Sequence, residues 1–249
     1  MNAARVCVLA LVAACANPRI VMPASRGAKI GTIELGWSNV HVVYGERPLL
    51  VDSGVRGDLR EIADKLGDLG VALRDVRCAV ITHGHADHAG TARAMQALGI
   101  KIIMGAGDLA RTQRGEHGAH HATSVFAWLL HFLLPEHYTP FTADVLVTDR
   151  YDLAPCGIAG EVISTPGHTA GSVVVIVGGG KIAIVGDLIR GGRLGGFVDK
   201  TQPRVHFYQD DKAAAHAEIR KLLARGVEWF VLGHGGPSTR AEVADEFGR

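Results

Sequence analysis

The chain lacks most of the features that mark a specialised class. Its 249 residues hold only 4 cysteines, too few for the dense disulfide framework that replaces a core in small secreted domains. Lys plus Arg number 26 against 25 Asp plus Glu, a formal net charge of +1. That balance, with no long basic run, offers no positive surface to track a phosphate backbone, so no nucleic-acid partner is expected. No apolar stretch reaches the roughly 20 residues that a membrane-crossing helix requires. No internal repeat is visible and no linker splits the sequence. No Ser-His-Asp or Cys-His pattern supplies a protein nucleophile. Low hydrophobicity is missing as well: 47% of residues are hydrophobic and 20% charged, which excludes disorder for most of the chain. What these absences leave is one domain large enough to bury a full core.

The N-terminus stands apart. "MNAARVCVLALVAACANP" carries one charge at Arg5, an apolar run from Val6 to Ala14, then small residues. This is the layout of a secretory signal. Val12-Ala13-Ala14-Cys15 reads as a bacterial lipobox with Cys15 as the lipidated residue, and Ala14-Cys15-Ala16 as a competing ordinary cleavage site. Residues 1–28 are therefore expected to be an export segment and tether, and 29–249 the single folded domain. The expected location is the periplasm or cell envelope, with a stray extension on a cytoplasmic protein as the alternative. Cys78 lies in an apolar run and reads as a buried small hydrophobe. Pairing between Cys78 and Cys156 is left open.

From residue 29 strand and helix patterns alternate. "NVHVVYG" and "PLLVDSG" predict paired strands. "GDLREIADKLGDLG" places Leu59, Ile62, Ala63 and Leu66 at helical spacing. "RCAVIT" predicts a buried strand, "ADHAGTARAMQALG" a helix, and "KIIMGA" the next strand. Later, "GEVISTPG", "SVVVIVGG" and "KIAIVGD" predict successive strands, with "GGGK" as a hairpin turn. "DDKAAAHAEIRKLLARG" is an amphipathic helix through Ala215, Ile219, Leu222 and Leu223, stopped by Gly226. "EWFVLGHGG" adds a strand. Thr239 and Glu242 are spaced as a capping box for the last helix. Residues 105–144 are irregular. Within them Val125–Leu134 reads as a core helix, with an apolar pocket wall as the sharper alternative. His120, His121, His131 and His137 fall in this stretch and read as surface or packing residues.

Chemistry concentrates in "ITHGHADHAG", where His83, His85, Asp87 and His88 occupy six positions. In extended backbone, positions i and i+2 face the same way, so His83 and His85 aim at one point beside Gly84. As the chain turns into a helix, Asp87 and His88 swing to an adjacent point. Two neighbouring points with nitrogen and oxygen donors describe a pair of metal sites. More donors stand at strand ends: His168 in "STPGHTAGS", Asp187 in "IVGDLI" and His234 in "VLGHGG".

These four motifs, in this order, resemble the metallo-β-lactamase-fold hydrolase superfamily, over nearly all of the chain from Lys29. The resemblance implies an α+β fold, a four-layer αββα sandwich with the site at one edge between two sheets. It implies two divalent metal ions. His83, His85 and His168 would hold the first, Asp87, His88 and His234 the second, and Asp187 would bridge them. Asp52 in "LVDSG" matches the family's early strand-end motif and would steady the histidine loop, with an ordinary turn acid as the plainer reading. Donors of His and Asp without thiolate favour zinc and also suit iron or manganese. The implied chemistry is hydrolysis by a water ionised between the ions, with Asp87 and Asp187 as the catalytic carboxylates and Asp87 relaying a proton. Asp187 in Gly-Asp is more similar to hydroxyacylglutathione hydrolases and lactonases than to the zinc β-lactamases. The expected substrate is thus a small carboxylic-acid derivative: a thioester, lactone or other ester. An envelope β-lactamase and a non-catalytic metal-binding member are the alternatives. His206 and Tyr208 in "RVHFYQDD", ahead of a helix, read as strand-end packing residues, with a place facing the cleft as the alternative. A membrane is expected only through a lipid on Cys15, and the oligomeric state is left open.

Overall fold

The computed structural model describes residues 18–118, 121–124, 137–193 and 198–248. Strands such as Val173–Val177, buried along their whole length, need cover on both faces. The first sheet supplies seven strands in chain order: β1 (Arg19–Met22), β2 (Ile30–Glu34), β3 (Asn39–Val43), β4 (Leu49–Val51), β5 (Cys78–Ile81), β6 (Lys101–Gly105) and β7 (Val145–Val147). β1 to β4 pair antiparallel, and β4 to β7 pair parallel. The second sheet contains β8 (Arg150–Asp152), β9 (Gly160–Ser164), β10 (Val173–Val177), β11 (Ile182–Ile184), β14 (Trp229–Val231) and β15 (Ser238–Thr239), ordered β15-β14-β11-β10-β9-β8. β12 (Arg190–Arg193) and β13 (Val198–Arg204) form a separate two-stranded ribbon.

The two-residue period of a strand sorts the apolar side chains into layers. Val173, Val175 and Val177 join Cys78, Val80 and Ile103 between the sheets. Val174 and Ile176 point outward onto Ile219, Leu222, Val243 and Phe247, carried by the helices Lys212–Arg225 and Arg240–Phe247. On the far side, Val40, Val42, Ala79 and Ile81 pack on Ile62, Leu66 and Met95 of the helices Leu59–Asp68 and Ala92–Ala97. Helix, sheet, sheet, helix is the four-layer αββα order. Asp211 caps the long helix through Ala214 N, Gly226 ends it at φ 91°, and Thr239 with Glu242 forms the capping box.

Three expectations change. The domain does not wait for residue 29, because Arg19–Met22 pair with β2 as an edge strand. Residues 1–17, including Cys15, and the run Val125–Leu134 lie outside the described residues. The helix expected over Ala86–Gly99 is two pieces, Ala86–Ala89 and Ala92–Ala97. Gly90 is seated against the backbone of residues 54–56, where a Cβ would come within 2.4 Å of Val55. Thr91 Oγ1 donates to the Ser53 carbonyl at 2.8 Å, and that tie breaks the helix at its neighbour.

Cys78 is more than a buried hydrophobe. It is disulfide-bonded to Cys156 across 78 positions of sequence, with Cα atoms 5.9 Å apart. Both residues sit in the layer between the sheets. Only packing brings β5 and the turn after β8 together, so spacing alone could not pair them. Replacing both cysteines by alanine is expected to lower the unfolding free energy by about 2–4 kcal/mol. Urea denaturation with and without the bridge checks this, and coincident midpoints would refute it.

Candidate metal centre

β5 runs out at Ile81 directly into the histidine loop. His85 still has extended backbone (φ −77°, ψ 154°), and the one-turn helix Ala86–Ala89 begins after it. His83 and His85 therefore converge, and the turn carries Asp87 and His88 to the next position along. His83 Nε2 lies 3.0 Å from His85 Nδ1, and His168 Nε2 is also 3.0 Å from that Nδ1. In the second group His88 Nε2 is 3.4 Å from His234 Nε2. Asp87 Oδ2 stands 3.6 Å from His88 Nε2 and 3.4 Å from His234 Nε2.

The second sheet delivers the remaining donors from strand ends: His168 from the turn between β9 and β10, Asp187 after β11, His234 after β14. Asp187 stands between the two groups. Its Oδ2 is 3.9 Å from His83 Nε2, 3.7 Å from His168 Nε2 and 3.2 Å from His234 Nε2, while Oδ1 is 3.3 Å from His88 Nε2. Gly233 must be glycine for this approach, because a Cβ there would come within 2.4 Å of Asp187 Oδ1.

Hydrogen bonds behind the rings decide which nitrogen faces inward. Asp52, at the end of β4, accepts from Thr82 N at 2.7 Å and Thr82 Oγ1 at 2.9 Å through Oδ1. Through Oδ2 it accepts from His88 Nδ1 at 2.8 Å. Asp52 holds the left-handed backbone (φ 69°) while doing so. His83 Nδ1 donates to Thr82 Oγ1 at 3.1 Å, and His168 Nδ1 donates to the Tyr208 carbonyl at 2.9 Å. The Nε2 atoms of all three rings thereby face the centre.

Burial and the neighbouring imidazoles hold His83, His85 and His168 well below the usual histidine range. For His88 and His234 burial acts the same way, but Asp187 and Asp87 outweigh it. His88 is raised well above its ordinary value and His234 to about 9. The two carboxylates resist burial's upward push because of those same histidines, and both fall well below the usual carboxylate range. The first group thus offers neutral imidazoles and the second alternates positive and negative charge.

A divalent ion fits this arrangement. Metal bonds of about 2.0–2.2 Å place the donors of a tetrahedron about 3.3–3.5 Å apart, and the spacings above straddle that value. Asp187 Oδ1 is buried with no hydrogen-bond partner among the described residues, a costly state for a carboxylate oxygen unless a cation takes it up. The groups His83-His85-His168 and Asp87-His88-Asp187-His234 each keep their donor atoms within 4.8 Å of one another.

The structure thus brings together every candidate donor named from the sequence, with Asp52 directly behind His88. Three further features belong to the centre. His206 is buried with Nε2 3.0 Å from Asp187 Oδ2, and His117 stacks on His85 at 3.8 Å between ring centroids. Tyr208 serves the site through its carbonyl. The packing role read for His206 and Tyr208 gives way to the cleft-facing alternative, since the Tyr208 carbonyl backs His168 and His206 lies against Asp187. The third is Asp108, inside the stretch read as irregular. It accepts from Gly84 N at 2.8 Å, Thr169 Oγ1 at 2.7 Å and Gly171 N at 3.2 Å, tying the His83 loop to the His168 turn. It stands just past the end of β6, and an acid at a strand end was a readable signal that the reading of residues 105–144 as irregular did not use. His121 is exposed and bonds Asp210 at 3.0 Å, and His137 pairs with Glu116 in an isolated bridge. His120 and His131 lie outside the described residues.

Comparison with known proteins agrees with the geometry. A family model described as the Metallo-beta-lactamase superfamily matches residues 35–234. A curated relative, Metallo-beta-lactamase domain-containing protein 1 of Xenopus laevis, is 26% identical over 202 residues, 80% of this chain and 71% of the relative. Among solved structures, a metallo-beta-lactamase family protein from Thermus thermophilus superposes with TM-score 0.62 at 18% identity, covering 88% of this chain and 77% of its own. A beta-lactamase from Chitinophaga pinensis does so with TM-score 0.59 at 18% identity, covering 90% and 80%.

Two outcomes follow from the electrostatics and the ties. An ion entering the second group must displace protons from His88 and His234, whereas the first group is already neutral. Affinity for the second ion is expected to rise about tenfold per pH unit for each proton displaced. The rise flattens near pH 9 for His234, where its proton has gone, and the first ion stays nearly pH-independent around neutrality. Metal titrations from pH 6 to 9 read both slopes, and equal slopes would refute the assignment. Separately, Asp108→Ala strands the N–H groups of Gly84 and Gly171 and leaves the Thr169 hydroxyl only Ser172 as a partner. It is expected to weaken ion retention by about 10–100-fold, measured by competition with a chelator, and retention matching the wild type would sink the positioning role.

Proposed function

This chain belongs to the metallo-beta-lactamase superfamily, and on that premise we propose that it is a two-ion hydrolase of carboxylic-acid derivatives, acting on a thioester, lactone or other ester. The observation that carries the reading is Asp187, whose carboxylate is within 3.9 Å of donors of both groups. A carboxylate so placed can join two ions, which a histidine with one inward lone pair cannot.

His83, His85 and His168 would hold one ion, Asp87, His88 and His234 the other, and Asp187 both. Zinc suits this donor set best, with iron or manganese as alternatives. When bound, two such ions supply Lewis acidity and an ionised water near neutral pH. The chain's own part is positioning and proton handling. The backing of His83, His88 and His168 by Thr82, Asp52 and Tyr208 fixes the ring orientations before substrate arrives. Asp87, held ionised by His88 and His234, is the group placed to accept a proton from attacking water and pass it to the leaving group. Ser38 Oγ donates to the Asp87 carbonyl. This ties the β2–β3 turn, with its exposed Trp37, to the helix that carries Asp87 and supports an apolar acyl or aromatic substrate group. The near-neutral charge supports a small-molecule substrate over nucleic acid.

A β-lactam substrate is the second reading, favoured by the solved relative from Chitinophaga pinensis, which is itself named a beta-lactamase. We also propose export to the cell envelope, with Cys15 as a lipid anchor. The Cys78–Cys156 bridge supports this, since structural disulfides belong to oxidising compartments.

Initial rates on a thioester, an acyl lactone, a chromogenic cephalosporin and a phosphodiester test the reading, each repeated with Asp187→Ala. The expected result is a chelator-sensitive preference for thioester or lactone that falls at least about 100-fold in the variant. Dominant cephalosporin turnover would replace the ester reading with the β-lactam one. Silence on all four with both ions bound would count against hydrolysis of these bonds and favour a metal-binding role.

A further inference from the structure

His206 is the buried histidine at the centre that the seven-donor scheme does not use. Its Nε2 is 3.0 Å from Asp187 Oδ2, a separation like those of His234 Nε2 from the same oxygen, 3.2 Å, and His88 Nε2 from Oδ1, 3.3 Å. Its ring centroid is 4.7 Å from that of His168 and 5.6 Å from that of His234. His168, Asp187 and His206 form a third group whose donor atoms lie within 4.8 Å of one another.

The loop carrying His206 is held from several sides. Arg190 Nε donates to the Val205 carbonyl at 2.9 Å, and its guanidinium lies 4.0 Å from the Phe207 ring centroid. Thr123 Oγ1 donates to the carbonyls of His206 at 3.0 Å and Phe207 at 2.9 Å. His206 Nδ1 is 3.1 Å from the Tyr208 carbonyl, the same oxygen that takes the Nδ1 proton of His168 at 2.9 Å. Tyr208 N also donates to His206 Nδ1 at 3.3 Å, so the backbone of Tyr208 fixes the Nδ1 side of both rings and turns both Nε2 atoms inward, as the hydrogen-bond partners behind ligating histidines do.

We infer that His206 is an eighth protein donor of the centre, offering Nε2 to an ion it would share with His168 and Asp187. Such an ion would draw one more imidazole beside the Asp187 carboxylate than the seven donors supply. The inference rests on the reading that the centre holds metal.

Cobalt(II) titration of the full chain tests it, with His206→Ala and His206→Gln beside the wild type. Gln keeps an N–H able to bond Asp187 but is a poor ligand. Both variants are expected to weaken one of the two ions by at least about 100-fold and to change the cobalt absorption spectrum. Proton NMR of the cobalt-loaded wild type should show a hyperfine-shifted, exchangeable imidazole N–H that both variants lose. Wild-type affinity and spectrum in His206→Gln would overturn the inference, leaving His206 as a hydrogen-bond partner of Asp187. If the variants do not fold, the wild type decides alone: a shifted N–H for His206 in selectively labelled protein supports ligation, and its absence overturns it. Failure of the wild type to bind cobalt would overturn the metal reading together with this one.

Discussion

Three carboxylates, Asp52, Asp87 and Asp187, are drawn out of water into one corner of this molecule, and a buried negative charge must be answered nearby. The arrangement around them follows from that demand. Asp52 is answered by two hydrogen bonds from Thr82 and one from His88. Asp87 and Asp187 are answered by His88 and His234, whose protons are held more tightly than usual. Protons and divalent ions therefore compete for one set of carboxylates, and the metal-free chain is already electrostatically prepared for a cation.

The sandwich meets this demand by ending strands where it needs donors. β5 opens into the His83–His88 loop, and β11 and β14 end just before Asp187 and His234. The apolar layers supply no donor themselves, yet they fix the strands whose ends converge. Donors from the first sheet meet donors from the second only when the layer between the sheets is packed, so core integrity and site geometry are coupled.

Much of this was legible in the residues. The compact histidine motif reveals itself because two neighbouring periodicities, extended then helical, put four donors on two adjacent points. His168, Asp187 and His234 were readable because each follows an apolar strand and sits beside glycine. The layered fold was implied by the resemblance that these motifs carry, while the periodicities alone showed strands and helices in alternation. What escaped has a common cause in tertiary contact. His206 is turned inward by Arg190, Thr123 and a shared carbonyl from Tyr208, none of which leaves a periodic trace. Asp108 looked like a loop acid until three donors were seen to meet on it. The Cys78–Cys156 bridge joins segments 78 positions apart. The helix break at Gly90 depends on the distant backbone of residues 54–56.

Asp52 shows what this convergence implies for the protein's tolerance of change. Its backbone sits at φ 69°, a conformation that costs an L-residue about 1–2 kcal/mol and a glycine almost nothing. Glycine would be the comfortable residue there, but it would take away the acceptor on which Thr82 and His88 depend. Stranding those buried donors would cost about 1–3 kcal/mol each, more than the relief of one strained backbone returns. The carboxylate that orients the centre is therefore also what keeps this corner of the fold closed, and selection for sturdiness alone would retain it.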